Sequence, residues 1–239
     1  MDIIGNQNNM SQITQAKRKR SKRKVITILS VAIAIIIVAA AGVYLKMRGE
    51  QQQMNALQTG EFMPGIYAIN CGFVNMFLIE SGGSYIAVDA GGSANAVEQG
   101  LSDLGISGDD VAYVLMTHTH GDHTAGIGLF DKAIVYGVNV SASTQIVSDG
   151  DTFTLNGKSI QVIATPGHAD DSVCYLINGD TLFAGDNLSL KNGSVELFNS
   201  VFNKSDEQQK ADIDRLAGLD GVRYIVTAHY GYTERPVFP

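Results

Sequence analysis

Cysteine is scarce: the 239-residue chain holds two, Cys71 and Cys174. That excludes a cysteine-rich structural zinc site of the closed, four-ligand kind. Cys174 falls in the apolar run SVCYLI (172–177) and reads as a small buried hydrophobe. Outside the cytoplasm the pair could form a disulfide. Histidine is scarce as well, five residues in all, so where each one sits carries information. Charge is missing from Val25 to Leu45, VITILSVAIAIIIVAAAGVYL, a run of 21 residues. Positive charge is thin beyond residue 60. Residues 61–239 hold eight Lys/Arg against 22 Asp/Glu, a net of −14, whereas residues 1–60 hold nine Lys/Arg and two acids. A domain this acidic repels polyanionic nucleic acid.

The basic end has a pattern. Lys17, Arg18, Lys19, Arg20, Lys22, Arg23 and Lys24 form a dense block directly before the uncharged run. As a helix rising about 1.5 Å per residue, that run matches a hydrocarbon core of roughly 30 Å. A nuclear-type or nucleic-acid patch fits poorly with an apolar span at its border. Only Lys46 and Arg48 follow the run closely, so the positive-inside bias places the N-terminus in the cytoplasm. A cleaved signal peptide is the competing reading, with Ala39-Ala40-Ala41 as its cleavage site; the 24-residue polar lead favours an uncleaved anchor. The expected organisation is a basic cytoplasmic tail (1–24), a transmembrane helix (25–45), a linker without apolar period (46–60) and one extracytoplasmic domain (61–239). The localisation that follows is a single-pass protein of the cell membrane.

Within 61–239, short strand-like runs alternate with turn residues. They are GIYAIN (65–70), VNMFLIE (74–80), YIAVDA (85–90), VAYVLMTH (111–118), AIVYG (133–137), DTFTL (151–155), SIQVIATP (159–166), SVCYLI (172–177), DTLFAGD (180–186) and a last strand, RYIVTAH (223–229). Residues 93–104 and 205–217 have helical periodicity with Ser93 and Ser205 as caps, and TAGIGLF (124–130) is expected to open a third helix. Strands in two groups, each with helices, predict an α/β fold, a four-layer αββα sandwich.

All five histidines fall at strand ends: His118, His120 and His123 in THTHGDHTAG, His168 after ATPG, and His229 after YIVTA. Asp122 lies among the first three, and Asp186 ends TLFAG. Side chains at such ends can converge on one crevice. His118 and His120 are two apart and face one side of an extended stretch. Asp122 and His123 are adjacent and face differently. The cluster therefore divides into two donor groups and predicts two metal ions, one held by His118, His120 and His168, the other by Asp122, His123 and His229, with Asp186 bridging. Imidazole with carboxylate suits zinc, and also iron or manganese.

The run H-x-H-x-D-H, a lone histidine in TPGH, an aspartate in GD and a final histidine after a strand together resemble the metallo-β-lactamase fold superfamily, over the whole of 61–239. The resemblance implies that Asp89, in VDAGG, supports a metal ligand from behind. TPGHADDSVCYLINGDTLFAGD is most similar to the glyoxalase II-like hydrolases. Three departures narrow the activity. Zinc β-lactamases carry cysteine or no ligand where Asp186 stands. Glyoxalase II enzymes add a basic helical domain for glutathione, whereas this sequence runs ten residues past His229 and has only Lys191 and Lys204 in 187–204. The nucleases use further histidines or a basic exosite, and two divalent ions would add only about +4 to the acidic domain.

The expected function is a dinuclear hydrolase of a small ester, thioester or lactone, working through metal-activated hydroxide. Asp122 would orient the nucleophile and carry its proton. Tyr230 and Tyr232 follow the last histidine and are candidates to donate to the leaving group, or packing residues. Phe198 and Phe202 form either core or an apolar lid over the substrate, and Leu188, Leu190, Leu197 and Val201 in the same loop favour a small-molecule substrate with an apolar part. Three other readings compete. One is a mononuclear iron sulfur dioxygenase using His118, His168 and Asp186. A second is a β-lactamase or phosphodiesterase of the same fold. The third is a metal-binding ectodomain without catalysis.

Overall fold

The computed structural model describes residues 3–52, 54–139 and 144–239. The chain forms two units, Met1–Glu50 and Gln51–Pro239. The first consists of helix α1 (Ile3–Gln51). Its stretch Arg18–Gly49 is long and apolar enough to cross a membrane by length and composition, with a mean hydropathy of 2.8 in its most apolar window. Val25, Ile28, Ile33, Ile36, Val38 and Leu45 are each more than half exposed, so the helix is apolar all round rather than along one stripe. Helix α1 does not stop at the expected boundaries of 24 and 45. Lys and Arg are good helix formers, and the first proline of the chain is Pro64, so nothing breaks the helix where the charge begins or ends. Residues 1–2 of the expected tail and residue 53 of the expected linker lie outside the described residues.

The second unit opens with β1 (Gly60–Met63), β2 (Ile66–Asn70), β3 (Asn75–Ser81), β4 (Ser84–Val88), α2 (Ala94–Leu104) and β5 (Val111–Leu115). A one-turn helix α3 (Gly121–Thr124) follows, then β6 (Ile134–Gly137), β7 (Gln145–Ile146), β8 (Thr152–Leu155) and β9 (Lys158–Ala164). The remainder is β10 (Val173–Ile177), β11 (Thr181–Phe183), β12 (Ser189–Lys191), β13 (Ser194–Glu196), α4 (Asp206–Ala217), β14 (Tyr224–Thr227) and β15 (Gly231–Glu234). One sheet runs β1 to β7 in sequence order, antiparallel as far as β4 and parallel from there. The second has the order β15-β14-β11-β10-β9-β8.

Three cores separate the layers. Phe77, Ile79, Ile86 and Leu115 of the first sheet meet Ile160, Val162, Tyr175 and Phe183 of the second. Ile69, Leu78 and Val114 pack with Val97 and Leu101 of α2 on the outer face of the first sheet. Ile163, Cys174 and Ile225 pack with Ile213 and Leu216 of α4 outside the second. The order is helix, sheet, sheet, helix, as periodicity predicts. Both cysteines are free; burial pushes the Cys174 thiol up to about 12, which keeps it an inert packing group.

Strand direction positions the site. β4 and β5 are parallel, as are β11 and β14, and two antiparallel steps make β9 run the same way as β11. The two sheets are sewn together at this edge. Val173 N donates to Thr117 O at 2.8 Å, and the buried Tyr175 hydroxyl donates to Met116 O at 2.9 Å.

Several expectations need correction. TAGIGLF does not open a helix: the one-turn α3 precedes it, and Ile127–Leu129 makes a single 3₁₀ turn. RYIVTAH is not the last strand, because the chain turns after it and adds β15 at the sheet edge. Residues 46–60, expected as a linker, carry structure of their own. They continue α1 to Gln51, and Asn55 N then donates to His229 O at 2.8 Å while Leu57 N donates to Asn75 Oδ1 at 2.7 Å.

Candidate metal centre

Each strand that leads into the site ends two to four residues before the first donor that follows it, and the intervening turns aim the side chains. His118, His120 and His123 follow β5, His168 follows β9, Asp186 follows β11 and His229 follows β14. Gly185 makes the Asp186 turn possible. Its φ of 53° is left-handed, and a Cβ there would stand 2.7 Å from Thr117 Oγ1.

All seven side chains converge in two groups, His118–His120–His168 and Asp122–His123–Asp186–His229, with donor atoms inside each group within 4.8 Å of one another. His168 Nε2 lies 3.0 Å from His120 Nδ1. Asp186 serves both groups with different oxygens. Its Oδ1 is 3.3 Å from His123 Nε2 and 3.2 Å from His229 Nε2, and its Oδ2 is 3.5 Å from His168 Nε2 and 3.9 Å from His118 Nε2. Asp122 Oδ2 is 3.5 Å from His229 Nε2.

The outer nitrogens of four rings are held. His123 Nδ1 meets Asp89 Oδ2 at 2.8 Å, His229 Nδ1 meets Phe73 O at 2.7 Å, His168 Nδ1 meets Asn203 Oδ1 at 3.2 Å, and His118 Nδ1 meets Thr117 Oγ1 at 3.1 Å. Thr117 in turn donates its main-chain N–H and its hydroxyl to Asp89. Each Nδ1–H therefore has an acceptor, which leaves Nε2 as a lone-pair donor facing inward. Inside, His118 Nε2, His123 Nε2 and Asp186 Oδ1 are buried and have no hydrogen-bond partner. Buried polar atoms without partners are costly, and inward-facing imidazole and carboxylate atoms are what a divalent cation takes. The donor set fits metal ions.

The electrostatics agree. Burial pushes the Asp186 carboxyl up, but His229 and His123 overcome this and hold it well below the usual carboxylate range. Burial lowers His123 and His229, yet Asp186 raises both above an ordinary histidine, with Asp89 adding to the effect at His123. His118 is held well below its usual value by burial and then by its neighbour His123. Around Asp186 the site attracts positive charge.

A cleft of about 310 Å³ opens onto these groups, lined by Met54, Phe73, His120, Asp122, His168, Asp186, Phe198, Phe202 and His229. Phe73 lies parallel to the His229 ring at 5.6 Å, and the buried Phe198 touches His168 at 5.1 Å and His229 at 5.6 Å between ring centroids. Phe198 and Phe202, expected as core or lid, face the cleft, while Leu188 and Leu190 of the same loop belong to the core beneath α4. Tyr230 does not line the cleft; its ring meets Phe198 edge-on at 5.9 Å. Tyr232 sits on β15 against Phe62 at 5.0 Å. The sequence pattern missed Met54, Phe73, Asn203 and the wholly buried Gln209. The local signals were weak: Phe73 follows Gly72, and Asn203 stands two residues before the Ser205 cap.

Fold and donor set define a metal-binding α/β-sandwich protein. A family model for the metallo-beta-lactamase superfamily matches residues 69–144. The chain is similar to a lactamase-like protein of Aspergillus niger, 34% identical over 125 residues that cover 48% of this chain and 38% of that one. It is also similar to a thioesterase of Emericella nidulans, 34% identical over 123 residues covering 48% of this chain and 35% of the other. The chain thus spans well under half the length of these curated relatives. A metallo-beta-lactamase family protein from Thermus thermophilus shares the fold with a TM-score of 0.58 at 24% identity, covering 73% of this chain and 76% of that one. The solved structure shows that the fold is shared, and the family model shows that residues 69–144 are similar to the metallo-beta-lactamase superfamily.

Proposed function

We propose that the unit Gln51–Pro239 hydrolyses a small ester, thioester or lactone with the help of two divalent ions, zinc first and iron or manganese as substitutes. The carrying observation is the position of Asp186, which turns one carboxylate oxygen to each donor group. His118, His120 and His168 would hold one ion, Asp122, His123 and His229 the other, and Asp186 both. Bound there, the ions supply Lewis acidity toward the acyl oxygen and toward water. Asp122 has 29% of its side chain exposed, so it can take the proton of the attacking water at the cleft edge. Met54, Phe73, Phe198 and Phe202 bind the apolar part of the substrate and exclude water. Tyr230, packed on Phe198, supports that wall rather than donating a proton.

The names of the relatives, lactamase-like protein and thioesterase, favour an acyl substrate. Within the superfamily we place the chain with the glyoxalase II-like hydrolases, on the run from Thr165 to Asp186. An iron dioxygenase using only His118, His168 and Asp186 would leave the buried His123 and His229 without a role. We also propose a single-pass anchor at Val25–Leu45, with the N-terminus cytoplasmic and the folded unit outside. Nucleic acid is not the expected partner of a domain at −14.

The test is kcat/KM for thioesters, lactones and esters against a cephalosporin and a phosphodiester, at one and two zinc equivalents. An acyl substrate should lead, and Asp122→Asn should lose about 100-fold or more of kcat. A cephalosporin or phosphodiester ahead by about tenfold, roughly 1.4 kcal/mol, sinks the acyl assignment.

A further inference from the structure

Gln209 is fully buried on α4, far in sequence from every donor residue, yet its side-chain amide touches three segments of the site. Its Nε2 donates to Asp186 O at 3.3 Å and to Asn203 Oδ1 at 3.0 Å. Its Oε1 accepts from Phe198 N at 2.9 Å and from Asn203 Nδ2 at 2.8 Å. Asn203 and Gln209 thus form a reciprocal amide pair. Asn203 Oδ1 also faces His168 Nδ1, and its Nδ2 donates to Phe198 O and to Asp206 Oδ1.

Side-chain amides can be turned by 180°, but main-chain groups cannot. Phe198 N–H can only donate and Asp186 C=O can only accept. Those two groups fix which end of Gln209 is nitrogen. Gln209 Nε2 and Oε1 then fix Asn203, and the acceptors Phe198 O and Asp206 Oδ1 fix it again from the other side. With both amides set, Asn203 presents an oxygen to His168 Nδ1.

We propose that the Gln209–Asn203 amide pair is a positioning device that sets the tautomer of His168. It keeps the ring proton on Nδ1 and the Nε2 lone pair aimed at the His118–His120–His168 group. This rests on the reading of His168 as a metal donor. Gly167 brings helix and loop close enough for the contact. A Cβ on it would stand 2.3 Å from Gln209 N and Cα, and its own N–H donates to Asp212 Oδ2 at 2.8 Å, one turn further along α4. The same amide pair holds the main chain of Phe198, whose ring packs on both His168 and His229. The helix therefore registers the donor ring and the cleft wall against each other.

The test uses the full chain in detergent, labelled with ¹⁵N-histidine and free of metal, at a pH where the imidazoles are neutral. Five histidines give a short spectrum, and His168→Gln assigns the resonance. In the parent chain His168 carries its proton on Nδ1. In Gln209→Met and in Asn203→Ala it should shift toward the Nε2–H form. Zinc competition against a chelating dye should then show the ion of the His118–His120–His168 group weakened about tenfold or more, with the other within about twofold. If Gln209→Met does not fold, Asn203→Ala decides alone. A folded variant that keeps the Nδ1–H form overturns the proposal, and so does equal loosening of both ions. A parent chain that binds no zinc but shows the Nδ1–H signal rejects the metal reading and leaves the tautomer assignment standing.

Discussion

At the scale of single residues, Asp89 is the most constrained point of the site. It has a φ of 60°, in the left-handed region that a side chain other than glycine enters at a cost of about 1–3 kcal/mol. The carboxylate repays that conformation with three bonds: Thr117 N at 2.7 Å, Thr117 Oγ1 at 2.9–3.0 Å and His123 Nδ1 at 2.8 Å. Asn at this position keeps the shape and the acceptor for Thr117 N. It then turns an N–H toward His123 Nδ1, where an acceptor is needed, so the His123 tautomer loses its support. Asp89→Asn should weaken zinc at the Asp122–His123–His229 group by about 10–100-fold and spare the other group. Dye competition reads both ions. Loss confined to the His118 side would mean that Asp89 acts through Thr117 alone. The prediction complements the one for Gln209, whose amide pair reaches His168 in the other donor group.

At the scale of elements, the junction between α4 and the TPGH turn decides whether two loops meet. Gly167→Ala would drive a methyl group into the Gln209 main chain, which has no rotamer with which to yield. Separation of α4 from the turn should cost about 1–3 kcal/mol, visible as a lower urea midpoint with an unchanged slope. A midpoint like that of the parent chain would show that the helix accommodates the group. This junction also marks where reading the sequence stops working. Ser93 and Ser205 were legible as caps because capping is a local bond: Ala96 N and Gln208 N donate to their hydroxyls. The buried strands were legible from unbroken apolar runs, and the seven candidate donors that the fold brings together from residue type and spacing. Asn203 and Gln209 were not, since their partners are His168, 35 residues away, and Asp186, 23 residues away, and no period connects them. The expected helix at TAGIGLF failed for a local reason, because Gly126 and Gly128 interrupt its apolar stripe. The contacts of the expected linker were hidden for a distant one. The side-chain oxygen of Asn75 captures Leu57 N, and only the fold brings the two together.

At the scale of the whole molecule, charge is divided between the two units. Lys and Arg crowd the segment before Val25, and the unit after residue 60 carries −14. Moving the basic block through a bilayer would be costly at every charge, whereas loops and domains translocate largely irrespective of acidic residues. The proposed orientation therefore puts the tail inside and the metal centre outside. Lys46 and Arg48, on the other side of the apolar run, give trypsin two sites on the outer flank. Trypsin added to intact cells should release the folded unit and leave an N-terminal tag attached to a short membrane fragment, while alkaline carbonate should not extract the uncleaved chain. Replacing the seven cations from Lys17 to Lys24 by glutamine and adding lysines after Arg48 should invert the insertion and protect the folded unit. Release of the whole chain by carbonate would end the anchor assignment. A folded unit shielded from trypsin in intact cells, with the tag exposed, would reverse the orientation and place the centre in the cytoplasm.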